Sequence, residues 1–151
     1  MSAATALPPF AAVIVAAGKG LRAGQDVPKQ FASWRGKPVL RHSAEALAAA
    51  GASPIAIAIP QGAEAIAAQA LAGIAGAVLV TGGETRQQSV HAALEALALQ
   101  APQWVLIHDS ARPILPPKVI ERLLATLNSH PCAIPVLPVV DSIVVASDGL
   151  M

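Results

Sequence analysis

The chain has 151 residues, enough for one domain with a sizeable core. Hydrophobic residues make up 54% and charged residues 13%, which argues against disorder, and a formal net charge of +1 argues against the clustered basic face of a nucleic-acid binder. The lone cysteine, Cys132, excludes an internal disulfide, cannot by itself form a structural zinc site, and fits a reducing cytoplasm. Phe10–Ala17 is a short apolar run ending at Gly18, and predicts a buried strand feeding a glycine-bearing loop over Gly18–Gln30. Pro38 suits the first position of a helix over Val39–Ala50, with Gly51 as its stop. Ser53–Ile59 predicts a second strand, closed by Pro60, and Gln61–Gly73 a helix of modest amphipathicity. Ala77–Thr81 predicts a third strand, ending in Gly82-Gly83. A helix over Arg86–Gln100 follows, with Val90, Leu94 and Leu97 on its apolar face. Trp104–His108 predicts a fourth strand, ending at Asp109, and Pro116–Leu127 a helix with Ile120, Leu123, Leu124 and Leu127 inward. Cys132–Val139 and Ile143–Val145 predict further strands. Trp34, Trp104 and Cys132 read as packing residues.

Strands and helices alternate, and the strands are too apolar to have a wet face. That predicts an α/β fold with a mostly parallel sheet covered by helices on both faces. Met1–Pro9 has no basic residue ahead of its apolar stretch and does not read as a secretory signal. The alanine-rich stretches are interrupted by Glu45, Glu64, Gln69 and glycines, and predict helix–strand units in place of membrane spans.

In an open parallel sheet, ligands bind beyond the carboxyl ends of the strands. Three segments should meet there: Ala16-Ala17-Gly18-Lys19-Gly20-Leu21-Arg22, Gly82-Gly83-Glu84-Thr85-Arg86, and His108-Asp109-Ser110-Ala111-Arg112-Pro113. The first loop is neither a dinucleotide fingerprint, whose third glycine would fall at Ala23, nor a P-loop. It still offers what a triphosphate needs: small residues that admit backbone N–H groups, and positive charge from Lys19, Arg22 and Lys29. An ordinary tight turn with solvated basic residues explains it equally well. Arg86 stands at a helix start, where the macrodipole disfavours a cation, so a functional task there is favoured. Ser89, one turn on, could face the same rim. Asp109 suits a magnesium ion, which takes one or two carboxylates plus substrate phosphates, and suits a turn cap just as well. His108 reads as a buried, hydrogen-bonded histidine. Asp141-Ser142, at the end of another apolar strand, could also reach the rim.

These motifs together resemble a known family. Ala-Ala-Gly-x-Gly-x-Arg, five residues, then Pro-Lys-Gln (Ala16 to Gln30) is similar to the opening motif of the 2-C-methyl-D-erythritol 4-phosphate cytidylyltransferases. Gly-Gly-x-x-Arg-x-x-Ser (Gly82 to Ser89) and His-Asp-x-Ala-Arg-Pro (His108 to Pro113) match the next two in order, and Pro-Val-x-Asp-Ser (Pro138 to Ser142) resembles a fourth. The resemblance covers nearly the whole chain from Phe10. It implies a Rossmann-like nucleotidyltransferase fold and a reaction of CTP with 2-C-methyl-D-erythritol 4-phosphate, giving 4-diphosphocytidyl-2-C-methyl-D-erythritol and pyrophosphate in non-mevalonate isoprenoid synthesis. It implies that Ala16, Ala17, Gly83 and Ser89 line a cytosine pocket and that Glu84 holds the ribose. Gly18 and Gly20 would let the loop wrap the triphosphate, and Arg86 would join the nucleotide site. Arg22 and Lys29 would be catalytic, stabilising charge at the reacting phosphorus. Asp109 would hold Mg2+ or another divalent cation, and Arg112, Asp141 and Ser142 would face the second substrate. It implies a homodimer in the full-length form, while the charge, the interrupted apolar stretches and the lone cysteine predict a cytoplasmic protein with no nucleic-acid or membrane partner.

The family runs longer than this chain, which ends at Asp148-Gly149-Leu150-Met151 just after a strand. The expectation is therefore a single nucleotidyltransferase domain over residues 1–151, truncated at its C-terminus or completed in a longer protein fused to a cyclodiphosphate synthase. Two other readings are open: a different sugar-phosphate or cofactor nucleotidyltransferase, such as a guanylyltransferase, and a truncated CTP-binding module without turnover.

Overall fold

The computed structural model describes residues 7–18, 28–138 and 140. Its main sheet has four parallel strands, β1 (Phe10–Val15), β4 (Ala52–Ile59), β5 (Ala77–Thr81) and β6 (Val105–Asp109), in the order β5-β4-β1-β6. A small antiparallel pair, β2 (Ser33–Trp34) and β3 (Lys37–Pro38), sits between β1 and the first helix. The helices are α1 (Val39–Ala49), α2 (Glu64–Ala70), α3 (Arg86–Leu97) and α4 (Pro117–Leu127), and a 3-10 turn, Ala98–Gln100, extends α3.

Period-two alternation along β1 and β4 separates two apolar layers. Phe10, Ala12 and Ile14 face one way with Ile55, Ile57 and Ile59, against Leu40, Ala44 and Leu47 of α1 and Ile120, Leu124 and Leu127 of α4. Ala11, Val13, Ala56 and Ala58 face the other way, against Ala93 and Leu97 of α3. One face is thus built of isoleucine and the other of alanine. Both are buried on the central strands β1 and β4, as a covered parallel sheet requires, while Val78 and Ile107 on the edge strands are exposed on the alanine face.

The sequence placed the main strands and helices within a residue or two of where they lie, with four differences. The second helix is shorter than Gln61–Gly73, because Gly62 (φ 81°) and Gly73 (φ 82°) adopt left-handed turns that a helix excludes. The buried stripe of α3 is Ser89, Ala93 and Leu97, with Leu94 37% exposed. Small side chains at i, i+4 spacing let that helix approach an alanine surface, so the stripe is not the Val90-Leu94-Leu97 face of bulk. Residues 132–138 form no strand. Pro131, Pro135 and Pro138 bring no N–H to a ladder, and Cys132, Ile134, Val136 and Leu137 are exposed instead of packed. Finally, the β2–β3 hairpin was not foreseen. Arg35 (φ 50°) and Gly36 (φ 80°) form its two-residue loop, a conformation that matches strand twist. The Trp34 ring meets the His42 ring edge-on at 4.8 Å, and the Arg35 guanidinium lies 4.5 Å from the Trp34 ring. The strand expected at Ile143–Val145 lies outside the described residues.

Candidate active site

The strand order reverses at β1, which has β4 on one side and β6 on the other. The helix that leaves β1, α1, packs on one face of the sheet, whereas α3, which leads from β5 across to β6, packs on the other. Such a switch leaves a crevice at the carboxyl ends. A cleft of about 370 Å3 opens at that point. Its walls are the end of β1 (Val15–Gly18), the turn carrying Lys29 and Gln30, the start of α3 (Gly83–Arg86 and Ser89), and the segment after β6 (Asp109–Arg112).

The end of β1 is held by a buried side chain. Gln30 is 2% exposed, and its Nε2 donates to the carbonyls of Ala16 (2.7 Å) and Gly18 (3.0 Å). The backbone carbonyl of Gln30 accepts from the N–H of Leu40 (2.8 Å), so one residue ties the first loop to α1.

The second wall depends on a close approach. A methyl group at Gly82 would stand 2.3 Å from the Ala17 Cβ and 2.9 Å from the Ser89 Oγ, distances only glycine avoids. Beyond it, α3 starts with a full capping box: the Thr85 hydroxyl accepts from the Gln88 N–H, and the Gln88 side chain accepts from the Thr85 N–H. Ser89 is buried, and its hydroxyl serves the loop itself. It accepts from the Gly83 N–H (3.2 Å) and lies 2.9 Å from the Thr85 carbonyl, to which it donates. The helix start, with its positive dipole end, borders the cleft.

On the third wall, Asp109 is the last residue of β6. Its Oδ1 accepts from the Arg86 Nε at 2.9 Å, and its Oδ2 lies 3.8 Å from the Arg112 Nε. The disfavoured cation at the first turn of α3 is therefore paired across the cleft. Lys29, Arg86 and Arg112 line the cleft with Glu84 and Asp109, so cations outnumber carboxylates. Such a balance suits an anionic ligand. His108 points into the same segment, where its Nε2 lies 2.9 Å from the Arg112 carbonyl. A carbonyl only accepts, so this nitrogen carries the hydrogen. Burial holds the His108 pKa below its ordinary value, against the opposing pull of that carbonyl and of Asp109.

The residues singled out from the sequence largely come together. Ala16, Ala17, Gly18, Lys29, Gly83, Glu84, Arg86, Ser89, Asp109 and Arg112 all border this one cleft. Gly20, Arg22, Asp141 and Ser142 lie outside the described residues. Gln30, Thr85, Ser110 and Ala111 also border it and had been given no role. Thr85 was findable, since Thr-x-x-Gln ahead of a helix is a capping signature. No periodicity marks Gln30 as buried; only its place between a glycine loop and a helix hints at it.

The backbone resembles solved structures of one kind. It superposes with a TM-score of 0.76 on the structure of the bifunctional IspDF from Campylobacter jejuni, at 22% identity, covering 95% of this chain and 36% of that one. It superposes with a TM-score of 0.73 on a 4-diphosphocytidyl-2C-methyl-D-erythritol synthase, at 24% identity, covering 93% and 65%. These likenesses and the cleft at the sheet's switch point define a nucleotidyltransferase fold. The family model for 2-C-methyl-D-erythritol 4-phosphate cytidylyltransferase (IspD) matches residues 10–151, and the chain belongs to that family. The bifunctional enzyme IspD/IspF of Erythrobacter litoralis is 65% identical over 151 residues, which are 100% of this chain and 39% of that protein. The 2-C-methyl-D-erythritol 4-phosphate cytidylyltransferase of Cereibacter sphaeroides is 51% identical over 136 residues, covering 88% of this chain and 60% of that protein. The chain thus spans less than two thirds of the length of these relatives. Among the described residues, no helix is long and apolar enough to cross a membrane.

Proposed function

We propose that this chain carries the CTP site of a 2-C-methyl-D-erythritol 4-phosphate cytidylyltransferase and takes part in cytidylyl transfer. The observation that carries the reading is the single cleft in which three motifs of that family meet at the ends of β1, β5 and β6. In the reaction, a phosphate oxygen of methylerythritol phosphate forms a bond to the α-phosphorus of CTP. The bond from that phosphorus to the oxygen bridging to the β-phosphate breaks, and pyrophosphate leaves with the electron pair. The attacking phosphate is already ionised, so no general base is required. Catalysis then rests on alignment and on charge stabilisation.

Each wall has a task in this reading. The small residues Ala16, Ala17 and Gly83 border a slot for the base, Glu84 meets the ribose, and Ser89 stiffens that wall from within. Gly18 gives the triphosphate room beside the N-terminus of α3, and Gly20 takes the same part in the reading by its motif alone. Lys29, with Arg22, offsets charge growing on the phosphates, and Arg112, with Asp141 and Ser142, faces the acceptor phosphate.

Among the described residues, no three His, Cys, Asp or Glu side chains gather into a metal-holding group. A magnesium ion delivered with nucleotide phosphates needs only one or two carboxylates, and Asp109 on the cleft wall meets that demand. When bound, such an ion would neutralise phosphate charge. Arg86 would then have to yield part of its contact with Asp109. A cytoplasmic homodimer completes the reading.

Thermal-shift titration of the chain with CTP, UTP, ATP and GTP, each with magnesium, tests the proposal. CTP should give the largest shift, because a ligand that binds only the folded state stabilises it according to its affinity. A pyrophosphate-release assay with methylerythritol phosphate then tests turnover. Equal stabilisation by ATP and CTP would overturn the assignment.

A further inference from the structure

Gln30 and Ser89 are polar side chains at the cleft that are almost wholly buried, and the reaction just described gives Gln30 no task. It is 2% exposed in a layer of apolar side chains, yet it borders the cleft beside Lys29. Burying a primary amide is costly unless its hydrogen bonds are made. Its two N–H groups go to two carbonyls of one loop, Ala16 at 2.7 Å and Gly18 at 3.0 Å, on either side of Ala17.

We infer that Gln30 is a positioning residue that turns the first loop's carbonyl oxygens away from an incoming triphosphate. The inference rests on the CTP reading above and deepens it. A peptide unit is planar and trans, so its C=O and N–H point in opposite directions. Drawing the Ala16 carbonyl onto the Gln30 amide therefore aims the Ala17 N–H away from Gln30. A second carbonyl, that of Gly18, is captured the same way. Two carbonyl oxygens facing phosphate oxygens would repel them, whereas N–H groups attract them. The same residue fixes the neighbouring cation. Pro28 to Ala32 is a turn closed by the bonds Phe31 N–H to Pro28 carbonyl (2.8 Å) and Ala32 N–H to Lys29 carbonyl (3.3 Å), and the Gln30 carbonyl accepts from Leu40 of α1. The chemistry demands an amide. Glutamate has the same shape but, when ionised, has no hydrogen to give, and methionine has none at any pH.

The test compares the wild-type chain with Gln30→Met and Gln30→Glu by calorimetric titration with CTP and with cytidine, with magnesium present. In both variants CTP affinity should fall on the order of 10- to 100-fold at about pH 8, the effect of leaving one or two carbonyls unpaired. Cytidine, which has no phosphates, should lose much less. A buried carboxyl facing carbonyls has a raised pKa, so Gln30→Glu should regain a donor and approach wild-type affinity as pH falls to about 5.5, while Gln30→Met should not. If Gln30→Met does not fold, the pH response of Gln30→Glu carries the test alone. Unchanged CTP affinity in the variants, equal loss for CTP and cytidine, or a Gln30→Glu deficit that ignores pH would overturn the inference and leave the CTP reading standing. A wild-type chain that binds no CTP would overturn both.

Discussion

His108 shows how a single side chain at the cleft links the site to stability. Its ring donates from Nε2 to the Arg112 carbonyl, which closes the turn that carries Asp109 and Arg112. Burial disfavours the charged ring, so the folded protein holds His108 neutral at a lower pKa than an unfolded chain would. The unfolded state therefore takes up the proton first as pH falls. Stability from this residue is fully present above the ordinary histidine pKa of about 6.5 and is lost as pH drops from there through the lower folded value. His108→Gln keeps a hydrogen-bond donor and removes the titration. Urea unfolding of the metal-free proteins across this range should show the wild type losing stability toward acid more steeply than the variant. The difference should vanish above neutrality. Parallel pH profiles would mean that another group controls the acid side.

At the scale of elements, the cleft exists because two strand ends nearly touch. The loop after β5 reaches the loop after β1 only through the missing side chain of Gly82, whose added methyl would lie 2.3 Å from the Ala17 Cβ. Neither neighbour can give way cheaply, since Ala17 follows a central strand and Ser89 is bonded to Gly83 and Thr85. Gly82→Ala should therefore cost about 1–3 kcal/mol of stability, the range for overpacking a tight site. The double variant Gly82→Ala with Ala17→Gly should recover part of that loss, and a double-mutant cycle by chemical denaturation measures it. Additive effects would show that the two loops are not in contact. The same comparison explains what the sequence could reveal. Dense apolar runs such as Phe10–Val15 and glycine stops marked the strands, and chain order then placed Ala16, Gly83 and Asp109 on one rim. Contacts that depend on a third element were hidden. The partner of Arg86 is Asp109, 23 positions along the chain, and the burial of Gln30 depends on the return of α1 beneath the loop. The proline-broken run at 132–138 carried the apolar content of a strand without its N–H donors, so composition pointed the wrong way there.

The molecule as a whole is asymmetric about its sheet. The isoleucine face is covered by α1 and α4 with many large side chains, while the alanine face is covered by α3 through very few. On that face Leu97 is the largest fully buried side chain, at 1% exposure, and it sits at the far end of the helix whose first residue is Arg86. Leu97→Ala should leave a cavity walled by Ala11, Val13, Ala56, Ala58 and Ala93. Alanine methyls rooted in a central sheet cannot move in to fill it, so relaxation is small and the loss should fall toward the upper end of the usual 2–5 kcal/mol. Against a total stability of about 5–15 kcal/mol that is a large share. Loosening α3 should also carry Arg86 and the Thr85 cap away from the cleft. Two measurements check this together: urea unfolding for stability, and CTP titration under conditions where the variant remains folded. Leu97→Ala should lower both, whereas Leu124→Ala on the opposite layer should lower stability with a smaller effect on CTP. Equal effects of the two variants on nucleotide binding would show that α3 does not transmit packing to the site.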